Sequence, residues 1–170
     1  MTVLEAVEKR WSVREFADRP VEAEKLERIL RTGWLAPTAS NEQRTKIVAV
    51  TDPELRRLLV DACEDQEFVG QAPVVLVTCA DQDRTMICGQ SARTVDCAIA
   101  MSFMRLQAIA EGLQGCWLGW FHPEQVRDIL NIPPEFVVVA VTPIGYPAFP
   151  GERSYKKPME EIVVYNRMGE

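Results

Sequence analysis

Arg10-Trp11-Ser12-Val13-Arg14 carries two guanidiniums and a hydroxyl at alternate positions. In an extended chain, side chains alternate, so Arg10, Ser12 and Arg14 point to one side while Trp11 and Val13 point to the other. Two planar forks of donors with a hydroxyl between them can hold the oxygens of a phosphomonoester. The same pentad also serves as a solvated surface pair, and by itself it leaves both readings open. Ala36-Pro37-Thr38-Ala39-Ser40-Asn41-Glu42-Gln43 is a second candidate. Proline, small residues and amides at this density expose backbone, either to a flat ligand or merely as a helix stop and connector. Other chemistries are poorly supplied. His122 is the single imidazole and precedes Pro123-Glu124, where entry into a helix explains it. Ser-His-Asp and Cys-His catalysis therefore drop out, and no metal centre is expected. Five cysteines without C-x-x-C spacing argue against zinc or a disulfide framework and for a reducing cytoplasm.

The elements that must position these residues follow from periodicity. A short helical turn through Leu4, Val7 and Glu8 precedes the pentad, and Phe16 with Pro20 breaks after it. Leu26, Ile29 and Leu30 recur at helical spacing within a helix over Val21–Leu35. Lys46–Thr51 reads as a strand, and Asp52-Pro53 opens a helix through Leu55, Leu58 and Leu59. Gln66–Pro73 is a second polar connector. Val74–Cys79 is apolar and β-branched, as a central strand buried on both faces should be. Ser91–Glu111 predicts a long helix with apolar or small residues on most sides, ended by Gly112 and Gly115. A third strand is expected over Cys116–Phe121, a short helix over Pro123–Leu130 and a fourth strand over Phe136–Thr142. The tail Ala148–Lys157 is rich in Pro, Gly and charge, and Glu161–Tyr165 could form a fifth strand. A strand on so extended a tail can add to a partner's sheet.

The chain has 170 residues, which suits one domain, taken as residues 1–170, with 47% hydrophobic and 26% charged residues. A net charge of −6 leaves no basic stripe for nucleic acid. Charges recur through the first thirty residues, so no signal peptide is expected, and no apolar run approaches the ~20 residues of a membrane span.

In order, the chain shows R-x-S-x-R, then A-P-x-A-x-N-x-Q, then C-W-L-G, a P-x-G-Y-P corner and K-K-P before its last strand. This arrangement resembles the nitroreductase family of flavin-dependent oxidoreductases from about Val3 to about Val164. The resemblance implies an α+β fold: a three-layer α/β/α sandwich with a mixed, mainly antiparallel sheet of four to five strands. It also implies an intertwined homodimer, with FMN bound at the interface and NADH or NADPH as electron donor. Arg10 and Ser12 fall where the family holds the FMN phosphate, with Trp11 between them, and Arg14 falls near the pyrimidine edge. A cation there favours the reduced ring, on which negative charge collects. Pro37, Thr38, Ala39 and Asn41 match the loop that reaches the flavin from the other subunit, and Gln66 is placed near the pyrimidine. Leu118 and Gly119 match the turn whose backbone N–H approaches flavin N5. Lys156 and Lys157 match the basic pair that closes on the phosphate.

The pattern is not complete. Arg44-Thr45 stands where the family carries Pro-Trp, Trp11 replaces a commoner basic residue, and lysines replace arginine in the tail. The chain also lacks most of the insertion that forms a substrate lid in longer members. The chemistry implied belongs to the flavin, so no side chain is assigned as a catalytic group. Trp120 and Phe121 follow the N5 turn and are candidate walls of a substrate cleft, whereas Trp34 and Trp117 are expected in the core. The alternative is a flavin-binding or flavin-sequestering protein without efficient turnover.

Overall fold

The computed structural model describes residues 1–81 and 83–168. Among these residues, six α-helices run in order: α1 (Val3–Lys9), α2 (Ala23–Trp34), α3 (Pro53–Ala62), α4 (Phe68–Gln71), α5 (Ala92–Ala110) and α6 (Pro123–Ile129). Four strands, β1 (Thr45–Val50), β2 (Val74–Ala80), β3 (Gln114–Gly115) and β4 (Val137–Gly145), form a sheet in the order β1-β2-β4-β3. All three pairings are antiparallel. The parallel element is a single bridge between Ser12 and Gly115.

β2 is buried along its whole length, and its alternation builds the layers. Val75, Val77 and Cys79 face a core made with Leu59, Val60 and Ala62 of α3, Phe68 and Val69 of α4 and Val126 of α6. Val74 and Leu76 face Ile29 of α2 and Met101, Met104 and Ala108 of α5. Each such aliphatic side chain contributes about 1.5–3 kcal/mol by leaving water, and together they fix two helical layers around one sheet. The register between β2 and β4 slips at Thr78/Cys79, so that Val139 is an extra residue. A one-residue slip exchanges the faces. Val138 accordingly joins the α3 side while Ala140 joins the α5 side.

The helix starts are capped as their sequences dictate. Thr2 and Glu5 form a reciprocal capping box on α1, Asp52 caps α3 ahead of Pro53, and Ser91 caps α5. Gly112, at φ +83°, ends α5 after Ala110.

Four expectations need correction. The third strand is shorter and earlier than Cys116–Phe121: Gly115 lies within β3, and Leu118 beyond it keeps only one bridge, to Val141. The connector Gln66–Pro73 contains the helical turn α4, held by the burial of Phe68 and Val69. The strand expected over Glu161–Tyr165 does not begin at Glu161, which closes a 3-10 turn at Met159–Glu161, and the segment pairs with no strand of its own chain among the described residues. Trp34 is exposed rather than in the core, since α2 turns it to the outside at its last residue. No helix among the described residues is long and apolar enough to cross a membrane.

Candidate functional site

α1 ends at Arg10, whose backbone turns extended, and the pentad then runs along the β3 edge of the sheet. Two long-range contacts place it. The side-chain amide of Gln114 donates to the Lys9 carbonyl at 2.9 Å and accepts from the Trp11 N–H at 3.4 Å. Ser12 then bridges Gly115. Val13 is fully buried while Ser12 and Arg14 are exposed, as alternation requires. Trp11 packs half-buried against the core, and Gly151 lies against its ring, where a Cβ would collide with the indole.

Arg105 is a member of this cluster that the sequence did not single out. It shares the inward stripe of α5 with Met101 and Ala108 and is half-buried. Burial holds its pKa down, and the charge of Arg10 adds to that depression. Among the described residues, Arg10, Arg14 and Arg105 form no ion pair and no side-chain hydrogen bond. Cations gathered without a carboxylate are unfavourable unless an anion joins them.

Further along the same edge, the Leu118 N–H donates to the Val141 carbonyl at 3.0 Å. Gly119 follows, exposed, and a Cβ built on it would meet nothing within 4 Å. The space over this peptide is open to a ring approaching the backbone. Gln66 secures the turn from below: its side-chain NH2 donates to the carbonyls of Cys63 at 2.6 Å and Trp120 at 2.9 Å. Gln66 thus spends its donors on protein and leaves its carbonyl oxygen for other partners. Trp120 is 76% exposed, whereas Phe121 packs against the α3–α6 core. Ser12 bridges Gly115, which is itself opposite Ile144 of β4, and Leu118 bridges Val141 of β4. Three residues of strand separate them by about 10 Å, a length that a ribityl phosphate chain spans.

The Thr38–Gln43 loop lies elsewhere. It forms a 3-10 turn at Ala39–Asn41 and leads into β1, the opposite edge of the sheet. Ser40, Asn41 and Gln43 are all left-handed, with φ of 53°, 56° and 53°. Such conformations cost roughly 1–2 kcal/mol in a side-chain-bearing residue, less for Asn, so the loop must be fastened. The Ala39 N–H donates to Asp96 Oδ1 of α5 at 3.0 Å, and the Gln43 N–H donates to Thr38 Oγ1 at 3.1 Å. Arg84 donates to Ser40 Oγ at 3.1 Å and pairs with Glu42 at 3.2 Å. Arg44 pairs with Glu42 at 3.4 Å and Asp81 at 3.1 Å. Pro37 and Asn41 are exposed at the rim of this loop.

A sequence model described as the Nitroreductase family matches residues 7–67 and 61–146. The chain belongs to the nitroreductase family. An NADH dehydrogenase of Thermus thermophilus is 31% identical over 189 residues, covering 92% of each chain. An FMN reductase [NAD(P)H] of Bacillus subtilis is 27% identical over 174 residues, covering 92% of this chain and 69% of that protein. The crystal structure of a nitroreductase family protein from Clostridium difficile superposes with a TM-score of 0.88 at 28% identity, covering 99% and 100% of the two chains.

A single chain brings together Arg10, Ser12, Leu118 and Gly119 along one sheet edge, with Gln66 beneath. It does not bring Thr38, Ala39 and Asn41 to them. Thr45, where the loop joins β1, pairs through Ala80 with Val137, seven residues from Ile144 on β4. The separation is about 20 Å along the strands and about 14 Å across three strand spacings. Lys156 and Lys157 lie on the exposed tail, and Lys157 pairs with Glu161 at 3.4 Å. The tail does start in the right place. Ala17 and Glu15 hydrogen-bond Tyr146 and Ala148, and Gly151 reaches Trp11, so the chain is heading toward Arg10. Sequence reasoning missed Gln114, Arg105 and Asp96; an ionisable or amide residue at a buried periodic position of α5 or β3 was the available signal.

Proposed function

We propose that this protein is an FMN-dependent NAD(P)H oxidoreductase whose sites are assembled between two copies of the chain. The observation that carries this reading is Arg10 beside the half-buried Arg105, neither ion-paired among the described residues, next to the exposed Ser12 and Arg14. Their partner has to be an anion, and the open peptide at Gly119 lies one ribityl-phosphate length away. The FMN reductase [NAD(P)H] of Bacillus subtilis supports the same choice of cofactor and donor. Bound there, FMN supplies hydride transfer from NADH or NADPH to a small acceptor, a nitroaromatic, a quinone or similar, in ping-pong order. The chain's own contribution is to bind and orient. Arg10 and Ser12 hold the phosphate, with Lys156 and Lys157 closing over it. Arg14 offsets negative charge at the pyrimidine edge, and because the Leu118 N–H is taken by Val141, the Gly119 N–H is the donor left for N5. Trp120 forms an exposed aromatic wall beside that turn, and Phe121 stiffens it from the core.

Two copies are needed because the Pro37–Asn41 rim and the Arg10–Ser12 edge sit at opposite corners of one sheet. Apolar surface points the same way: Val3 and Leu4 on α1 and Ile162 and Tyr165 on the tail are all exposed in the single chain. A dimeric mass by light scattering at micromolar concentration is expected, and a monomer retaining FMN would overturn the shared site. Purified protein should be yellow, release FMN on denaturation and bleach with NADH or NADPH under anaerobic conditions. A protein that takes up no FMN would overturn the reading; one that binds FMN without bleaching would be the sequestering alternative.

A further inference from the structure

We propose that Asp96 is the positioning residue of the flavin-facing loop: its buried carboxylate holds Ala39, and through it three left-handed residues, in the shape that meets the partner copy's FMN. The proposal rests on the oxidoreductase reading above. Asp96 is 7% exposed, on the second turn of α5, and its Oδ1 accepts from the Ala39 N–H at 3.0 Å. Among the described residues it forms no ion pair. A carboxylate is expensive to bury, and it is retained where it accepts strong hydrogen bonds or lies among cations. The Ala39 N–H meets the first, and arginines paired with other carboxylates stand nearby. A polar cavity of about 250 Å³ beneath the loop is lined by Asp96, Glu42 and the guanidinium-bearing Arg44, Arg84 and Arg93.

The loop's geometry explains why such a holder is needed. Ser40 and Asn41 are left-handed in succession, Gln43 follows, and none of the three is glycine. A released segment of this composition would relax to right-handed or extended backbone and carry Asn41 away from its present position. Asp96 fastens the N-terminal end of the turn, while Arg84 fastens its middle through Ser40 and Glu42. The first fastening is buried and the second is exposed, so the first should dominate. No proline restrains the chain after Gln43; Arg44 stands next and joins the ion pairs.

The test compares Asp96→Asn, which keeps an acceptor for the Ala39 N–H, with Asp96→Leu, which does not. FMN affinity would be measured by fluorescence titration of the flavin-free dimer, and loop order by amide hydrogen exchange over residues 36–45. Asp96→Leu should weaken FMN about tenfold, equivalent to about 1.4 kcal/mol, and speed exchange in the loop while leaving β2 protected. Asp96→Asn should retain most of both properties. Unchanged FMN affinity in a folded Asp96→Leu dimer would overturn the proposal, as would equal losses in the two variants. Should Asp96→Leu fail to fold, Asp96→Ala removes the same acceptor with a smaller side chain. A few-fold weaker FMN and faster loop exchange are then expected, and no change in either would overturn the clamp. A wild-type chain that binds no FMN would sink the oxidoreductase reading separately, with loop exchange still reporting on Asp96.

Discussion

The two edges of the sheet use arginine in opposite ways. At the β1 edge, Arg44, Arg84 and Arg93 are each paired with a carboxylate, at 3.1, 3.2 and 3.6 Å. At the β3 edge, Arg10, Arg14 and Arg105 have no such partner among the described residues. Charge spent on a neighbouring side chain shapes backbone; charge left unspent is available to a ligand. The first edge therefore holds a loop in place, and the second is where the proposed anion would be received.

The largest effect should come from removing unspent charge. Arg10→Ala should weaken FMN binding by about 10- to 100-fold, the equivalent of about 1.5–3 kcal/mol for a hydrogen bond to a charged group. Ser12→Ala should cost less, because a neutral hydroxyl gives a weaker bond. Unchanged flavin occupancy of both variants after extensive dialysis would erase the contrast between the edges. Arg105→Met sharpens it further, since its effect should change sign with the ligand. Without FMN the variant loses a half-buried guanidinium lying beside Arg10, and its Tm should rise by roughly 2–4 °C for about 1 kcal/mol. With FMN present, affinity should fall several-fold. A Tm that falls in both states would mean that Arg105 is structural.

Smaller still is a contrast in burial. Cys63 and Cys97 are pushed up to about 12 and Cys79 to about 11 by burial, whereas Cys88 is exposed. A thiol whose folded pKa exceeds its ordinary 9.0 contributes stability below about pH 9 that is lost as pH rises through 11–12. The urea midpoint should fall over that window, and alkylation of the native protein at pH 8 should label Cys88 alone. Rapid labelling of Cys63 or Cys97 would show that the core on either face of the sheet opens readily.

Much of the scaffold was legible because its signals are local. Ser91, Asp52 and Thr2 mark helix starts, the apolar run Val74–Cys79 marks the central strand, and alternation around Ser12 marks which way the pentad faces. The Cys116–Phe121 strand failed because its apolar run was read as sheet pairing, whereas burial of Cys116 and Leu118 needs only one bridge to β4. Trp34 failed because helical periodicity does not say where the covering layer stops. The family motifs offered candidate residues for a flavin site, but not that Gln66 spends its donors on Cys63 and Trp120.

By itself, then, the sequence determined the order of elements, the buried face of each and the residue types gathered for an anion, since periodicity and turn chemistry act over a few residues. Tertiary structure alone decided which of those residues meet. Asp96 reaches Ala39 across 57 residues of chain, Arg105 comes beside Arg10, and the loop and the pentad end at opposite corners. Those outcomes depend on strand order and on how two helical layers pack on one sheet, rather than on any local preference.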